Sequence, residues 1–337
     1  MTRSRKLLIL AMLLLVIGLG AGYFWLRVQR PPDVVRLLPE GDFIVYANLR
    51  PVHLFLKESR PVQLESDYQD FVNRTGIQFE RDLDEVAMSR RDTADGRDVE
   101  SSEVFVGRFD PGKLSSYLRS QSAQSEDYRG RTVYTIPHEG HTVRVSLLDN
   151  TKIAVTNMAS AEPMHGMIDR FHGDPGQPQL VKEYYQHVPT GSLAWVIDRM
   201  PAESDIPQLP GGLSFGFLEN TVAVASLRYD GDLLLRADAY AASNASAANI
   251  VESAKTFFAI YRTVSRSLGA RGNDPDVKAA IDSIHIEQSG NAAVFTAQFS
   301  PRFVKKIVAQ AGPEVLSATP TPPTAPAKNE PQPRRKK

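Results

Sequence analysis

The 337-residue sequence contains no cysteine. That excludes disulfides, thiolate zinc sites and cysteine nucleophiles together, and it suits an oxidising compartment, where a stray thiol is a liability. An excess of either charge is also missing, because Lys+Arg and Asp+Glu both number 39. Proteins that hold nucleic acid match its phosphates with a basic excess or patch, so no nucleic-acid partner is expected. No G-x-x-x-x-G-K-[ST] phosphate loop and no H-E-x-x-H zinc helix occurs anywhere in the chain. With these chemistries removed, the sequence speaks mainly about location and organisation.

Long apolar runs are scarce, with one exception. From Leu7 to Leu26 every residue is apolar, glycine or aromatic. At about 1.5 Å per residue such a helix spans roughly 30 Å, the thickness of a bilayer's hydrocarbon core. Arg3, Arg5 and Lys6 precede the run, and Tyr23, Phe24 and Trp25 sit at its far end, where amphipathic rings favour the interface. Bulky residues continue past Gly18, Gly20 and Ala21, so the run is longer than the core of an ordinary cleaved signal and reads as an uncleaved anchor. Arg27, Arg30 and Arg36 follow it, which nearly balances the positive-inside count; the basic cluster and free amine tight against the N-terminal end favour that end inside. The expected location is the inner membrane, crossed once, with the bilayer as first partner and the remaining chain outside the cytoplasm. Gly18 and Gly22 form a G-x-x-x-G pair that could let two such helices approach, but on so short a motif a small-residue signal-type segment with no dimer is the favoured reading.

Behind the anchor the order of turn and strand signals repeats. Leu38-Pro39-Glu40-Gly41-Asp42 leads into the strand-like run Phe43 to Leu49, then Arg50-Pro51. Val188-Pro189-Thr190-Gly191-Ser192 leads into Leu193 to Asp198, then Arg199 and Pro201, at an offset of 150. The first copy, placed just behind an anchor, resembles bacterial membrane-anchored families of domains of unknown function. That resemblance implies an envelope location and brings no catalytic residues with it.

The halves continue alike. Val104 to Phe109 reads as a strand, and Asp110-Pro111-Gly112 opens a helix through Arg119. Leu233 to Ala241 is a strand, and Ser243 to Leu268 a helix whose apolar stripe runs from Ala247 through Ile250, Val251, Ala254, Phe257 and Phe258 to Leu268. Thr132 to Ile136, Thr142 to Leu148 and Lys152 to Thr156 form a meander, and Ile284 to Gln288 pairs with Ala292 to Phe299. Helices over Ser160 to Phe171 and Pro301 to Ala311 close the halves. The segment Glu80 to Glu103, dense in both charges, reads as a solvated loop around one short strand.

The expected class is therefore α+β: an anchor, then two similar half-domains of antiparallel sheet, each with helices on one face. The boundaries are a cytoplasmic N-terminus 1–6, the span 7–26, a linker 27–37, half-domains 38–187 and 188–312, and a tail 313–337. Six prolines between Pro320 and Pro333, almost no large apolar residues and the ending Arg334-Arg335-Lys336-Lys337 leave the tail nothing to pack, so it is expected to be extended and disordered.

Three pieces of candidate chemistry weaken in context. Gly212-Leu213-Ser214-Phe215-Gly216 matches the G-x-S-x-G of a nucleophile elbow, but no hydrophobic strand feeds it past Pro207, Pro210 and Gly211. A hydrolase would need Ser214 beside His285, with an acid such as Asp282. His138-Glu139-Gly140-His141, with His165 or His172 as a third ligand, has the wrong spacing for a zinc helix and reads as a polar hairpin turn. Asp230-Gly231-Asp232 reads as another hairpin turn, without the further oxygens of a calcium loop. No metal or cofactor is expected. The leading expectation is a non-enzymatic interaction or scaffold domain that presents a sheet surface or the groove between half-domains to another envelope protein or to lipid. The alternatives are a serine hydrolase through Ser214 and a lipid- or small-ligand-binding domain with an apolar cavity between the halves.

Overall fold

The computed structural model describes residues 30–51, 53, 66–92, 99–138, 140–200, 220–267, 275–303 and 306. The span Leu7 to Leu26, the pair Gly18 and Gly22, Ser214 and the tail from 313 lie outside these residues. Among the described residues no helix is long and apolar enough to cross a membrane.

Among the described residues twelve strands form the frame: β1 (Phe43–Asn48), β2 (Leu83–Asp92), β3 (Val99–Gly107), β4 (Gln124–Tyr128), β5 (Arg131–His138), β6 (His141–Leu147), β7 (Lys152–Thr156), β8 (Ala194–Arg199), β9 (Val222–Asp230), β10 (Asp232–Tyr240), β11 (His285–Ser289) and β12 (Ala292–Phe299). The helices are α1 (Asp33–Leu37), α2 (Ser66–Thr75), α3 (Phe79–Asp82), α4 (Pro111–Gln121), α5 (Glu162–Phe171), α6 (Gln179–Tyr184), α7 (Asn244–Ser267) and α8 (Pro275–Asp282), with a 3₁₀ turn at Tyr185–His187.

All twelve strands join in one antiparallel sheet, ordered β11-β12-β10-β9-β8-β1-β2-β3-β7-β6-β5-β4. The class is α+β, as the pattern of strands and interspersed helices leads one to expect. Instead of separate sheets in each half, the two strands that follow the repeated Pro-x-Gly motif pair with each other: β1 lies against β8, with Val45 opposite Val196 and Tyr46 opposite Trp195. Outward from that seam the order on one side is β1-β2-β3-β7-β6 and on the other β8-β9-β10-β12-β11, with β5 and β4 added only to the first.

Helices cover both faces of the sheet, not one. Side chains alternate along a strand, so neighbouring residues belong to opposite layers. Ile44, Tyr46, Ala87, Val104, Ala154, Trp195 and Ile197 share one layer with Val35 of α1, Met164, Met167 and Ile168 of α5, and Leu180 and Val181 of α6. Tyr134, Val145 and Ile153 point the other way and pack on Leu114 and Leu118 of α4. Ala239 and Ala293 do the same against Ala247, Ile250 and Val251 of α7. A 3.6-residue period cannot tell which face of a sheet its apolar stripe will meet, so this division was open until the strands were paired.

The charged stretch Glu80 to Glu103 holds two of the longest strands rather than a solvated loop. β2 pairs with β1 over Phe43↔Arg90 to Asn48↔Glu85, and β3 follows as its hairpin partner. Ala87, Ser89, Ser102 and Val104 are wholly buried there. Most of the charges occupy alternate positions or the far end of the hairpin, where Arg90 lies over the Phe43 ring at 4.9 Å, whereas Asp82 is buried and paired with Arg81 at 3.0 Å. Charge density masked an alternation that the ladder then enforced.

Local signals elsewhere held their positions. Asp110 caps α4, its Oδ1 accepting from the backbone N–H groups of Gly112 and Lys113 at 3.0 Å each. Ser243 Oγ accepts from Ser246 N at 3.1 Å and opens α7. His138 and His141 face each other across the β5–β6 turn, with Gly140 at φ +84°, and Gly231 at φ +78° turns β9 into β10. Helices α2, α3, α6 and α8 and strand β4 have no counterpart in the sequence pattern, and the expected linker 27–37 holds the buried helix α1.

Candidate interaction site

The short rod of α6 and its 3₁₀ turn lies on the sheet beside the β1–β8 seam, and a cavity opens on each side of it. Pro178 precedes α6, and Leu180 and Val181 sink into the central core, which leaves Glu183, Tyr184, Tyr185 and His187 to form the walls. The aromatic residues therefore fan out in two directions from one buried anchor.

The larger cavity is an open cleft of about 890 Å³, lined by Asp42, Glu183, Tyr184, His187, Arg199, Met200, Asn220, Thr221, Val222, Tyr240, Ala241, Ala242 and Asn291. The His187 and Tyr240 rings lie 4.4 Å apart, and Tyr184 meets Tyr240 at 5.8 Å. Arg199 reaches Asp42 at 3.6 Å across the seam. Burial, and then the negative charge of Asp238, push the Tyr240 phenol up to about 12, so it stays protonated and able to donate throughout the physiological range. Asp238 itself is buried against Arg236 Nε at 3.0 Å, with its second oxygen unpartnered among the described residues. The cleft thus offers aromatic faces, both signs of charge and amide groups, a set suited to holding a polar chain.

The smaller cavity, about 430 Å³, is lined by Pro32, Tyr46, Tyr185, Gln186, Val188, Pro189, Thr190, Gly191, Ser192 and Trp195. Trp195 lies 5.8 Å from Tyr46 and 5.4 Å from Tyr185. Tyr46 Oη donates to Glu85 Oε2 at 3.3 Å, and Arg50 holds that carboxylate at 3.3 Å. Burial first, and Glu85 second, raise the Tyr46 hydroxyl above the ordinary phenol range. The second Pro-x-Gly copy, Val188 to Gly191, forms one wall, with Gly191 at φ +79°.

Of the residues that the sequence brings forward for catalysis, His285 opens the edge strand β11 and its Nδ1 bonds the Ser283 carbonyl at 2.8 Å. Asp282 ends α8 and makes no hydrogen bond to that ring among the described residues. Neither lines the cleft. No group of three or more possible metal ligands comes together among the described residues. His165, considered as a third metal ligand, stacks on Tyr128 at 3.9 Å and meets Glu126 Oε1 at 2.8 Å, tying α5 to β4. The walls beside the seam mix rings with polar groups. Sequence reasoning passed over Tyr184, His187 and Tyr240 because they come from separate elements; the tyrosine pair just before the second Val-Pro-x-Gly was the one visible signal.

No family model and no curated protein matches the chain. Two solved structures of TP0453 are similar to it. Crystal form III has 16% sequence identity, covering 83% of this chain and 99% of that one, with a TM-score of 0.45. Crystal form IV has 17% identity, covering 84% of this chain and 98% of that one, with a TM-score of 0.43.

Proposed function

We propose that the protein is a non-enzymatic interaction module of the bacterial envelope, tethered to the inner membrane by residues 7–26 with its sheet domain outside the cytoplasm. In this reading residues 38–187 and 188–312 are two copies of one ancestral half-domain, fused through the β1–β8 seam. The matching strand orders on the two sides of the seam support it, as does the repeated Pro-x-Gly entry to each seam strand. The cleft beside α6 is where a polar segment of another envelope protein docks. The single observation that carries this assignment is its lining: three aromatic rings beside the Asp42–Arg199 pair and the amides of Asn220 and Asn291. Rings supply contact area at little entropic cost, and flanking charges and amides orient a polar chain.

The test is a photo-crosslinking side chain at Asn220 in intact membranes. A discrete protein adduct is expected, reduced at least tenfold when Tyr240→Ala removes the central ring. Uniform labelling that Tyr240→Ala leaves unchanged overturns the cleft assignment. Alkaline carbonate extraction checks the tether, because a protein released intact into the supernatant does not span the bilayer. Ester or peptide hydrolysis that vanishes in Ser214→Ala would overturn the non-enzymatic reading.

A further inference from the structure

We propose that the smaller cavity is the docking site for the chain's own proline-rich segment, Pro320-Thr321-Pro322-Pro323-Thr324-Ala325-Pro326. Its walls have the chemistry that proline-rich chains select. Tyr46, Tyr185 and Trp195 form an aromatic cluster framed by Pro32 and Pro189. A polyproline II segment has no internal hydrogen bonds and exposes both flat pyrrolidine faces and bare carbonyls. It docks where rings stack on the former and side-chain donors meet the latter.

Those donors are in place. Trp195 is only 3% exposed, yet its indole N–H makes no hydrogen bond with any described residue, and the Tyr185 hydroxyl likewise has none. Tyr46 differs, since its hydroxyl is committed to Glu85. Neither the indole nitrogen nor the Tyr185 hydroxyl oxygen is fully enclosed, so each stays open to an incoming carbonyl. Two donors beside aromatic and proline walls fit a tertiary-amide chain better than a charged or purely apolar ligand.

The reach is sufficient. Phe299 at the end of β12 is level with Leu233 and Tyr229, and Leu227 is level with Ala194, so β12 finishes at the same end of the sheet where β8 begins. Three strand spacings separate them, about 14 Å, and crossing the layer adds about 10 Å. With a helix running to Ala311, as the sequence predicts, and an extended chain beyond it, the stretch from Phe303 to Pro320 spans about 40 Å. Tethering at that length gives millimolar effective concentration, so a weak intrinsic contact fills the site.

Trp195 reports on the site once Trp25, the second tryptophan, is replaced. The experiment takes the full chain carrying Trp25→Phe in detergent micelles and compares it with the same chain ending at Gly312. Removing the tail is expected to shift Trp195 emission, and a synthetic peptide of residues 317–337 should restore it saturably in the shortened chain. The intact chain should bind that peptide at least tenfold more weakly. Alanine at Pro320, Pro322, Pro323 and Pro326 should abolish binding, as should Tyr185→Ala in a protein whose thermal unfolding is unchanged. Unaltered emission on truncation together with no peptide binding overturns the proposal. So does equal binding to the two chains, which would assign the site to another molecule's segment, or binding that survives the alanine peptide and depends only on Arg334 to Lys337. The α6 cleft is not involved, so Tyr240→Ala should leave every one of these signals unchanged.

Discussion

Gly41 and Gly191 occupy the same place in the repeated motif for different physical reasons. A Cβ on Gly41 would stand 2.7 Å from the Arg90 carbonyl oxygen, so this glycine allows the chain to press against β2. Gly191 has φ +79° and open space around it, so there the backbone itself needs glycine. Gly41→Ala should therefore cost about 1–3 kcal/mol through forced displacement of β2, and Gly191→Ala about 1–2 kcal/mol through strain alone. Urea unfolding of the two variants measures both. Introducing asparagine discriminates them, because it tolerates positive φ: it should recover much of the loss at position 191 and none at 41. Glu103 makes a second residue-scale case. It lies on the sheet beside Met88, and burial raises its carboxyl above the usual range, with a bond from Ser101 opposing the shift. A raised folded-state pKa favours the folded protein at low pH, and this contribution is lost as pH climbs through that pKa. Glu103→Gln should then raise the melting temperature at pH 7 by roughly 2–4 °C, with the gap closing once the pH falls below the ordinary glutamate range. A gap that persisted at low pH would remove ionisation as its cause.

At the scale of elements, α1 and α5 show how short pieces are held. Five residues cannot sustain a helix in isolation, but Val35 is wholly buried and Arg170 of α5 donates from Nε to the Leu37 carbonyl at 3.0 Å, satisfying the end of α1. Burial depresses the Arg170 guanidinium from its usual value, and its Nη2 has no partner among the described residues. α5 supplies Met164, Met167 and Ile168, all fully buried, to the layer beneath the seam. Ile168→Ala should cost about 2–5 kcal/mol in chemical denaturation. The sequence marked α5 to within two residues, because its apolar spacing is strong and Pro163 sits in its first turn. It missed β4, whose residues are almost all exposed and polar, since an edge strand shows no alternation unless one face is buried.

For the whole molecule the decisive feature is the seam. Ile44, Tyr46, Trp195 and Ile197 lie side by side in one core that also holds α1, α5 and α6. Two separate half-domains would unfold in two steps, whereas halves that share a ladder and a core should melt together. Calorimetry is expected to give one transition, with Ile197→Ala lowering all of it and exposing no separate early step. A first transition confined to one half would show that the seam couples them only weakly.

The α+β class, the repeated turn-and-strand order, both hairpin turns and the long α7 could be taken from the sequence, because each depends on neighbours within a few residues. The pairing of β1 with β8, the division of helices between two faces and the two cavities beside α6 could not. They depend on contacts between residues far apart in the chain, 149 positions for Tyr46 and Trp195 and 56 for Tyr184 and Tyr240, and only the paired strands bring these together. Local propensity has no way to express such distances, so the two cavities form only once the sheet has closed across its seam.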